Sequence, residues 1–199
     1  MLSTYDIIAQ GFLIVKGFYK KYFRFFCEDS SDPHLPLAKT TETWYTDVNS
    51  LFGALYMKLT DIGTIKDIMD RHGLAFQKKY GQNFLISESV PQKTAQAALD
   101  NCGSGARTRA ALEIGPGIGT LTCELCRRLD RVCAVEIDSS LLPALGETLA
   151  EFDNFEIINS DVLKVKLDNL VSEKFGDADV AVCANLPYYI TTPIIMGFL

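Results

Sequence analysis

The sequence is short of the features that mark several functional classes. No stretch of eighteen consecutive apolar residues occurs, so it offers no membrane-spanning helix. Positive charge is not in excess: 19 basic against 25 acidic side chains leave a net charge of −6, which excludes a general electrostatic attraction to nucleic acid. Cys123 and Cys126 form one C-x-x-C, but no second pair and no nearby histidine accompany them. Zinc needs four ligands, so the two read as small core residues one helical turn apart. Cys133 and Cys183 fall in apolar runs and read as packing residues. With Cys27 and Cys102, these thiols fit a reduced, cytoplasmic setting. No internal repeat or low-complexity segment is evident. The apolar fraction of 48% and charged fraction of 22% are those of an ordinary globular chain. They exclude a disordered tail, a collagen-like fibre and a dense disulfide scaffold. A chain of 199 residues makes one full domain, or one domain with an appendage, and buries a core without disulfides or metal.

What charge there is lies unevenly. Residues 1–60 are net neutral, residues 61–110 carry +2, and residues 111–199 carry −8. A polyanionic partner would have to meet a local basic patch, for which Lys66, Arg71, Lys78 and Lys79 are the candidates. A solvated helix face accounts for the same four charges. The first 60 residues stand apart. Gly11 to Phe26 is crowded with aromatics interleaved with Lys16, Lys20, Lys21 and Arg24. The order of charge and apolar residues is wrong for a signal peptide. The run suits an amphipathic membrane-surface helix, a helix docked on another chain, or sequence that is not translated. Residues 28–40 are polar with two prolines and read as a linker, with His34 exposed in it.

From about residue 60 the pattern becomes regular. Residues 62–73 read as a helix ending at Gly73, residues 74–86 as an irregular segment, and Ser87 to Leu99 as a helix capped by Ser89 or a neighbour. Strands and helices then alternate. Strands are expected at Arg109–Ile114, Val132–Ile137, Phe155–Asn159 and Val180–Ala184. Helices are expected at Thr120–Leu129 and Ser140–Phe152, partly over Val162–Glu173, and from Pro193. Such alternation predicts βαβ units with right-handed crossovers, hence an α/β fold with a doubly wound, mostly parallel sheet.

The strand ends carry the chemistry. The first is followed by Gly115-Pro116-Gly117-Ile118-Gly119-Thr120. A glycine-rich turn between strand and helix lets backbone approach a ligand closely. The dinucleotide fingerprint G-x-G-x-x-G would need its third glycine at position 120, where Thr120 stands, so the loop is a poor pyrophosphate cradle. The second strand ends in Val135-Glu136-Ile137-Asp138. Glu136, about twenty residues after the loop, suits a ribose diol, while Asp138 suits a helix cap. The third ends in Ser160-Asp161-Val162. Asp161 can accept from an adenine amine beside Val162, although on its own it would be an ordinary turn residue. The fourth ends in Asn185-Leu186-Pro187-Tyr188-Tyr189-Ile190. There an aminated base would find the Asn185 side-chain oxygen, the Leu186 carbonyl and a stacking surface on Tyr188. Open α/β sheets bind ligands at these carboxyl ends. His72 lies outside the motifs and is expected to be structural or on the surface. A nicotinamide-dependent oxidoreductase fits neither the glycine spacing nor the NLPYY motif.

The segments KKYGQNFL, EIGPGIGTLT, VEID, SDVL and NLPYYITTPII, in this order and spacing, resemble the KsgA-type rRNA adenine N6-dimethyltransferase family from about residue 60 onward. The resemblance implies a Rossmann-like methyltransferase fold, S-adenosylmethionine as cofactor, and adenosines of small-subunit rRNA as substrate within a small ribosomal subunit or its precursor. It implies that Gln82, Asn83 and Leu85 close over the cofactor, that Gly115 and Gly117 hold its methionine part, and that Glu136, with Ile137 beside it, binds the ribose. Asp161 and Val162 would hold the cofactor adenine. Asn185, Leu186, Pro187 and Tyr188 would hold the target adenosine. Related enzymes that methylate large-subunit rRNA share most of these motifs, and a non-catalytic module binding S-adenosylmethionine or RNA would share the cofactor motifs. Compared with the family, the chain is expected to be a partial methyltransferase domain over residues 60–199, incomplete at its C-terminus, with the fourth strand left as an exposed apolar edge. Residues 1–59 are expected to be an extension of unknown role. Met57 is the expected native start, and the rival expectation is an accessory segment that binds a membrane surface or RNA.

Overall fold

A computed structural model describes residues 57–74, 87–103, 105, 108–186, 192–194 and 196, together with the backbone of residues 12–16 and 25–26. Within these residues run strands β1 (Phe12–Lys16), β2 (Phe25–Phe26), β3 (Arg109–Ile114), β4 (Arg131–Glu136), β5 (Phe155–Asn159) and β6 (Asp179–Asn185). The helices are α1 (Ile62–Arg71), α2 (Ser89–Asn101), α3 (Thr120–Cys126), α4 (Leu142–Thr148) and α5 (Leu167–Phe175). The sheet order is β2-β1-β6-β3-β4-β5. The four strands β6-β3-β4-β5 are parallel, as the alternation of strand and helix requires.

Local chemistry fixes the ends of α1. The Asp61 side chain accepts from the Thr64 amide at 2.9 Å, which caps the first turn. At the other end Leu74 donates to the Met69 carbonyl at 2.7 Å and Gly73 to Asp70 at 3.2 Å. This closure needs a left-handed residue, and Gly73 supplies it with φ of 61°. The helix therefore stops at Arg71. Other elements also differ from expectation at their ends. Helix α4 starts at Leu142 after a tight turn over Ser139–Leu141 that Asp138 caps. A second such turn, Val162–Lys164, precedes α5, and α2 is preceded by Glu88, which makes no side-chain cap. Strand β4 ends at Glu136, which leaves Ile137 outside the ladder and exposed.

The apolar residues pack on both faces of the sheet. On one, Ala110, Leu112, Val135, Val180 and Val182 meet Leu167, Leu170, Val171 and Phe175 of α5. On the other, Ala111, Val132, Ala181 and Cys183 meet Ala95 and Ala98 of α2 and Leu121, Leu125 and Cys126 of α3. A third cluster joins Ile65, Ile68 and Met69 of α1 to Ile118, Cys123 and the α4 residues Ala144 and Leu145. Cys123 and Cys126 thus sit in separate clusters. Burial pushes the Cys123 thiol up to about 12 and Cys133 to about 11.

Two expectations fail at the N-terminal side. Phe12–Lys16 and Phe25–Phe26 are strands, not parts of an amphipathic helix, and the apolar edge of β6 is covered. Strand β1 runs antiparallel to β6 with Phe12 opposite Asn185 and Lys16 opposite Ala181. The physical reason is the edge itself. A run of Phe-Leu-Ile-Val has high strand propensity, and the outer N–H and C=O groups of β6 offer it a ladder. No described helix is long and apolar enough to cross a membrane.

Leu112 lies in the middle of β3 and is fully buried. Leu112→Ala is expected to destabilise the fold by about 2–5 kcal/mol, read from the shift in the urea unfolding midpoint.

Candidate functional site

The sheet reverses its winding beside β3. From β3 the chain steps to β4 and β5 on one side, then returns past β4 and β3 to place β6 on the other. A crevice opens where strand order reverses, outside the carboxyl ends of the strands. Register decides what faces it. Ile114 pairs with Val135 of β4 and with Ala184 of β6. The next residues along the three strands are Gly115, Glu136 and Asn185, so all three stand on one level at the mouth of the crevice.

The glycine loop is built for close approach. Gly115, Gly117 and Gly119 have φ of 69°, 61° and 90°, values that side chains with a Cβ rarely adopt. At Gly117 nothing among the described residues lies within 4 Å of where a Cβ would stand, so the loop presents bare backbone there. At Gly115 the nearest atom to that position is a Leu186 methyl at 3.7 Å, which brings the β3 and β6 motifs into contact. The loop amide of Gly115 donates to the Val135 carbonyl at 2.9 Å.

Glu136 faces this loop and is 4% exposed. Its Oε1 accepts from the Asp138 amide at 2.8 Å, and its Oε2 accepts from Gly117 at 3.4 Å. Burial raises its carboxyl above the usual range, and the two amides pull it back down. The longer contact leaves Oε2 free to accept shorter hydrogen bonds from hydroxyl groups. Asn159 donates to the Glu136 carbonyl at 2.8 Å and holds that end of β4 to β5. Asp138 is a cap, as its position suggests: it accepts from the Ser140 amide at 3.0 Å and hydroxyl at 2.6 Å. Asp161 serves the same purpose one strand over, where it accepts from the Leu163 amide at 3.0 Å. Val162 is buried behind it, and Ile137 and Leu163 are about half exposed at the same rim. Asn185 ends β6 and Leu186 is buried. Gln82, Asn83, Leu85, Pro187 and Tyr188 lie outside the described residues, as do Lys78 and Lys79 of the basic patch. The remaining patch residues are on α1. Lys66 is exposed, and Arg71 pairs with Glu147 of α4. His72 joins that pair through Nε2, 2.6 Å from Glu147, and is a structural residue as expected.

The comparisons with known proteins agree with this arrangement of motifs. The model of the family described as ribosomal RNA adenine dimethylase matches residues 73–199. The chain belongs to that family. Its curated relatives include the ribosomal RNA small subunit methyltransferase A of Geobacillus thermodenitrificans, 49% identical over 138 residues, which covers 69% of this chain and 45% of the relative. The protein of the same description from Clostridioides difficile is 43% identical over 145 residues, 71% of this chain and 47% of the relative. The chain thus spans about half the length of the curated relatives it matches. Among solved structures, the 23S rRNA methyltransferase ErmE is 27% identical and covers 58% of this chain and 42% of its own, with a TM-score of 0.43. The dimethylase match begins at residue 73, just past the C-terminal end of α1, so the whole of that helix lies before it.

Several residues of the site were not singled out from the sequence. Thr120 and Thr148 hold the loop through buried hydroxyls. Glu113 is the more unexpected. It lies in β3 two residues before Gly115, is 2% exposed, and its Oε2 has no hydrogen-bond partner among the described residues. Complete burial pushes its carboxyl up to about 8, with the neighbouring Glu136 charge adding to the rise. A signal was present: a lone acid within the run Ala-Ala-Leu-Glu-Ile, on the same side of the strand as Ala111.

This raised value has a direct consequence. The folded state holds the Glu113 proton between about 4.5, the ordinary value of a glutamate, and about 8, whereas the unfolded chain releases it. Stability from this group is present below the lower value and is lost as pH rises through the upper one, by at most about 1.4 kcal/mol per pH unit. Glu113→Gln, which keeps the shape without the titration, is expected to flatten the pH dependence of the denaturant midpoint between pH 5 and 8. Parallel curves for the two proteins would show that Glu113 is not held neutral.

Proposed function

We propose that this chain carries the cofactor-binding part of an rRNA adenine N6-dimethyltransferase, which takes methyl groups from S-adenosylmethionine and places them on adenosines of small-subunit rRNA. The observation that carries this reading is the shared level of Gly115, Glu136 and Asn185, with the Gly117 amide reaching Glu136 across the crevice. A family of rRNA adenine dimethylases supplies the reaction type, and relatives described as small-subunit methyltransferases supply the RNA class. The setting of such a substrate is the cytoplasm, on a small ribosomal subunit or its precursor.

The residues present fit the cofactor. Bare backbone at Gly115 and Gly117 suits the methionine chain, since any Cβ there would require strained backbone and occupy the approach. The Glu136 carboxylate accepts from two ribose hydroxyls, and Ile137 and Val162 supply apolar surface at the adenine end, with Asp161 at the rim. When bound, S-adenosylmethionine supplies an electrophilic methyl group on a sulfonium centre. The remaining work falls to the chain. The lone pair of an adenine amine is delocalised into the ring, which makes it a weak nucleophile. Two acceptors on the amine hydrogens, the Asn185 side-chain oxygen and the Leu186 carbonyl, favour a pyramidal nitrogen and localise the pair. Pro187 and Tyr188 complete this end, with the tyrosine ring as a stacking surface. Positioning and preorganised acceptors then suffice, with no strong base required. Gln82, Asn83 and Leu85 are assigned to the cofactor side of the site.

Two experiments test the assignment. Calorimetric titration with S-adenosylmethionine is expected to show binding that Glu136→Ala weakens by about 1–3 kcal/mol, the effect of unpairing the hydroxyls. Unchanged affinity would remove Glu136 from the ribose, and no binding to the parent chain would overturn the reading. In single-turnover transfer of labelled methyl groups to small-subunit rRNA, Asn185→Ala is expected to slow the reaction by about a hundredfold or more while binding the cofactor nearly as well. A near-normal rate would exclude Asn185 as the acceptor of the amine.

A further inference from the structure

Position 120, where a dinucleotide-binding loop would have its last glycine, is occupied by a threonine with a specific task. Thr120 Oγ1 donates to the Leu59 carbonyl at 3.2 Å, just ahead of α1. On the opposite side of the loop, Thr148 Oγ1 donates to the Ile118 carbonyl at 2.9 Å, in preference to the Leu145 carbonyl of its own helix at 3.4 Å. Both threonines are buried, and so is Ile118. The buried Ile118 carbonyl lies outside any ladder, so it depends on the Thr148 hydroxyl for a partner, while the Thr120 hydroxyl ties the end of the loop to Leu59. Close packing reinforces the contact. A Cβ on Gly119 would come within 3.1 Å of Thr148 Oγ1 and 3.3 Å of a Leu149 methyl, so the end of α4 rests directly on the left-handed residue of the loop. The preceding residue, Glu147, pairs with Arg71 and His72 at the far end of α1. Helix α1 is thereby tied to the loop at one end through Thr120 and to α4 at the other.

We propose that Thr148 and Thr120 are positioning residues that hold the 115–119 loop in its ligand-ready, left-handed form before any ligand arrives. Their effect on affinity rests on the cofactor reading given above, but their effect on the loop does not. A preorganised loop binds without first being ordered, so loosening it lowers affinity even though neither hydroxyl touches the ligand. The threonines would then set cofactor affinity through the shape of the backbone, and the contacts of α1 would belong to the site although the whole helix precedes the family match.

The test is Thr148→Val, which keeps the volume and removes the hydroxyl, with Thr148→Ser to restore the donor and Thr120→Val as the second variant. Amide exchange of Gly117 and Gly119 in the ligand-free protein is expected to quicken by about tenfold in each valine variant, with exchange in β3 and β4 unchanged. Affinity for S-adenosylmethionine is expected to fall by a similar factor, and Thr148→Ser is expected to recover both. A merely structural threonine would lower the unfolding temperature and speed exchange everywhere alike. That outcome, or loop exchange and affinity equal to the parent's, would overturn the proposal. Faster loop exchange in a protein whose parent binds no S-adenosylmethionine would uphold the positioning role and overturn the cofactor reading instead.

Discussion

Everything in this site depends on β3 being paired on both sides. Its backbone is committed to β4 through Ala110–Ile114 and to β6 through Arg109–Ile114, in both cases in parallel. Parallel pairing points the carboxyl ends of all three strands the same way, and the shared register brings them to one height. Three residues far apart in sequence, Gly115, Glu136 and Asn185, therefore arrive together through backbone register. A one-residue slip of β4 would turn Glu136 to the opposite face and take the acceptor away from the loop.

The two ends of the sheet are finished differently. At the amino ends the chain closes on itself. Arg109 and Asp130 form a two-pronged pair at 3.2 and 3.1 Å, and the Asp179 carboxylate accepts from the Gly103 amide at 2.6 Å. At the carboxyl ends the Gly117 backbone is bare among the described residues, Glu136 accepts from two backbone amides, and Asp138 and Asp161 cap short turns. The two ends differ in kind: one ties the strands together through side-chain pairs, the other through backbone amides and short caps. The net charge of −8 on residues 111–199 is spread through caps and pairs such as Asp138, Asp161 and Glu147. An RNA partner would therefore be held by local contacts and base chemistry, not by a general field.

Strands β3 and β5 were legible in the sequence to the residue, and β4 and β6 to within one, because each is an apolar run bounded by glycine, aspartate or asparagine. Helices were legible as elements but not in length. Pro143 and the Asp138 cap convert the start of the expected 140–152 helix into a tight turn, an effect of local hydrogen bonding that periodicity does not encode. The places of Gly115, Glu136 and Asn185 at or just past strand ends were readable from the apolar runs they close. Glu113, Thr120 and Thr148 were not, because their significance comes from what the fold sets against them: complete burial beside Thr122 of α3, the Leu59 carbonyl and the Ile118 carbonyl. The strand at Phe12–Lys16 was missed for the same reason, since an aromatic and basic run reads as amphipathic until an unpaired edge is available to it.

The cysteines carry a consequence of their own. Cys102, Cys123, Cys126, Cys133 and Cys183 are buried thiols outside any disulfide, spread over two sheet faces and the α1 cluster. Burial holds those in α3, β4 and β6 well above the ordinary thiol range, so almost no thiolate exists at neutral pH. The folded chain is therefore chemically quiet toward alkylating agents and oxidants at these positions, and each becomes reactive only when its own layer opens. The protein thus contains a built-in set of clocks for local unfolding, in which the order of labelling reports which layer opens first.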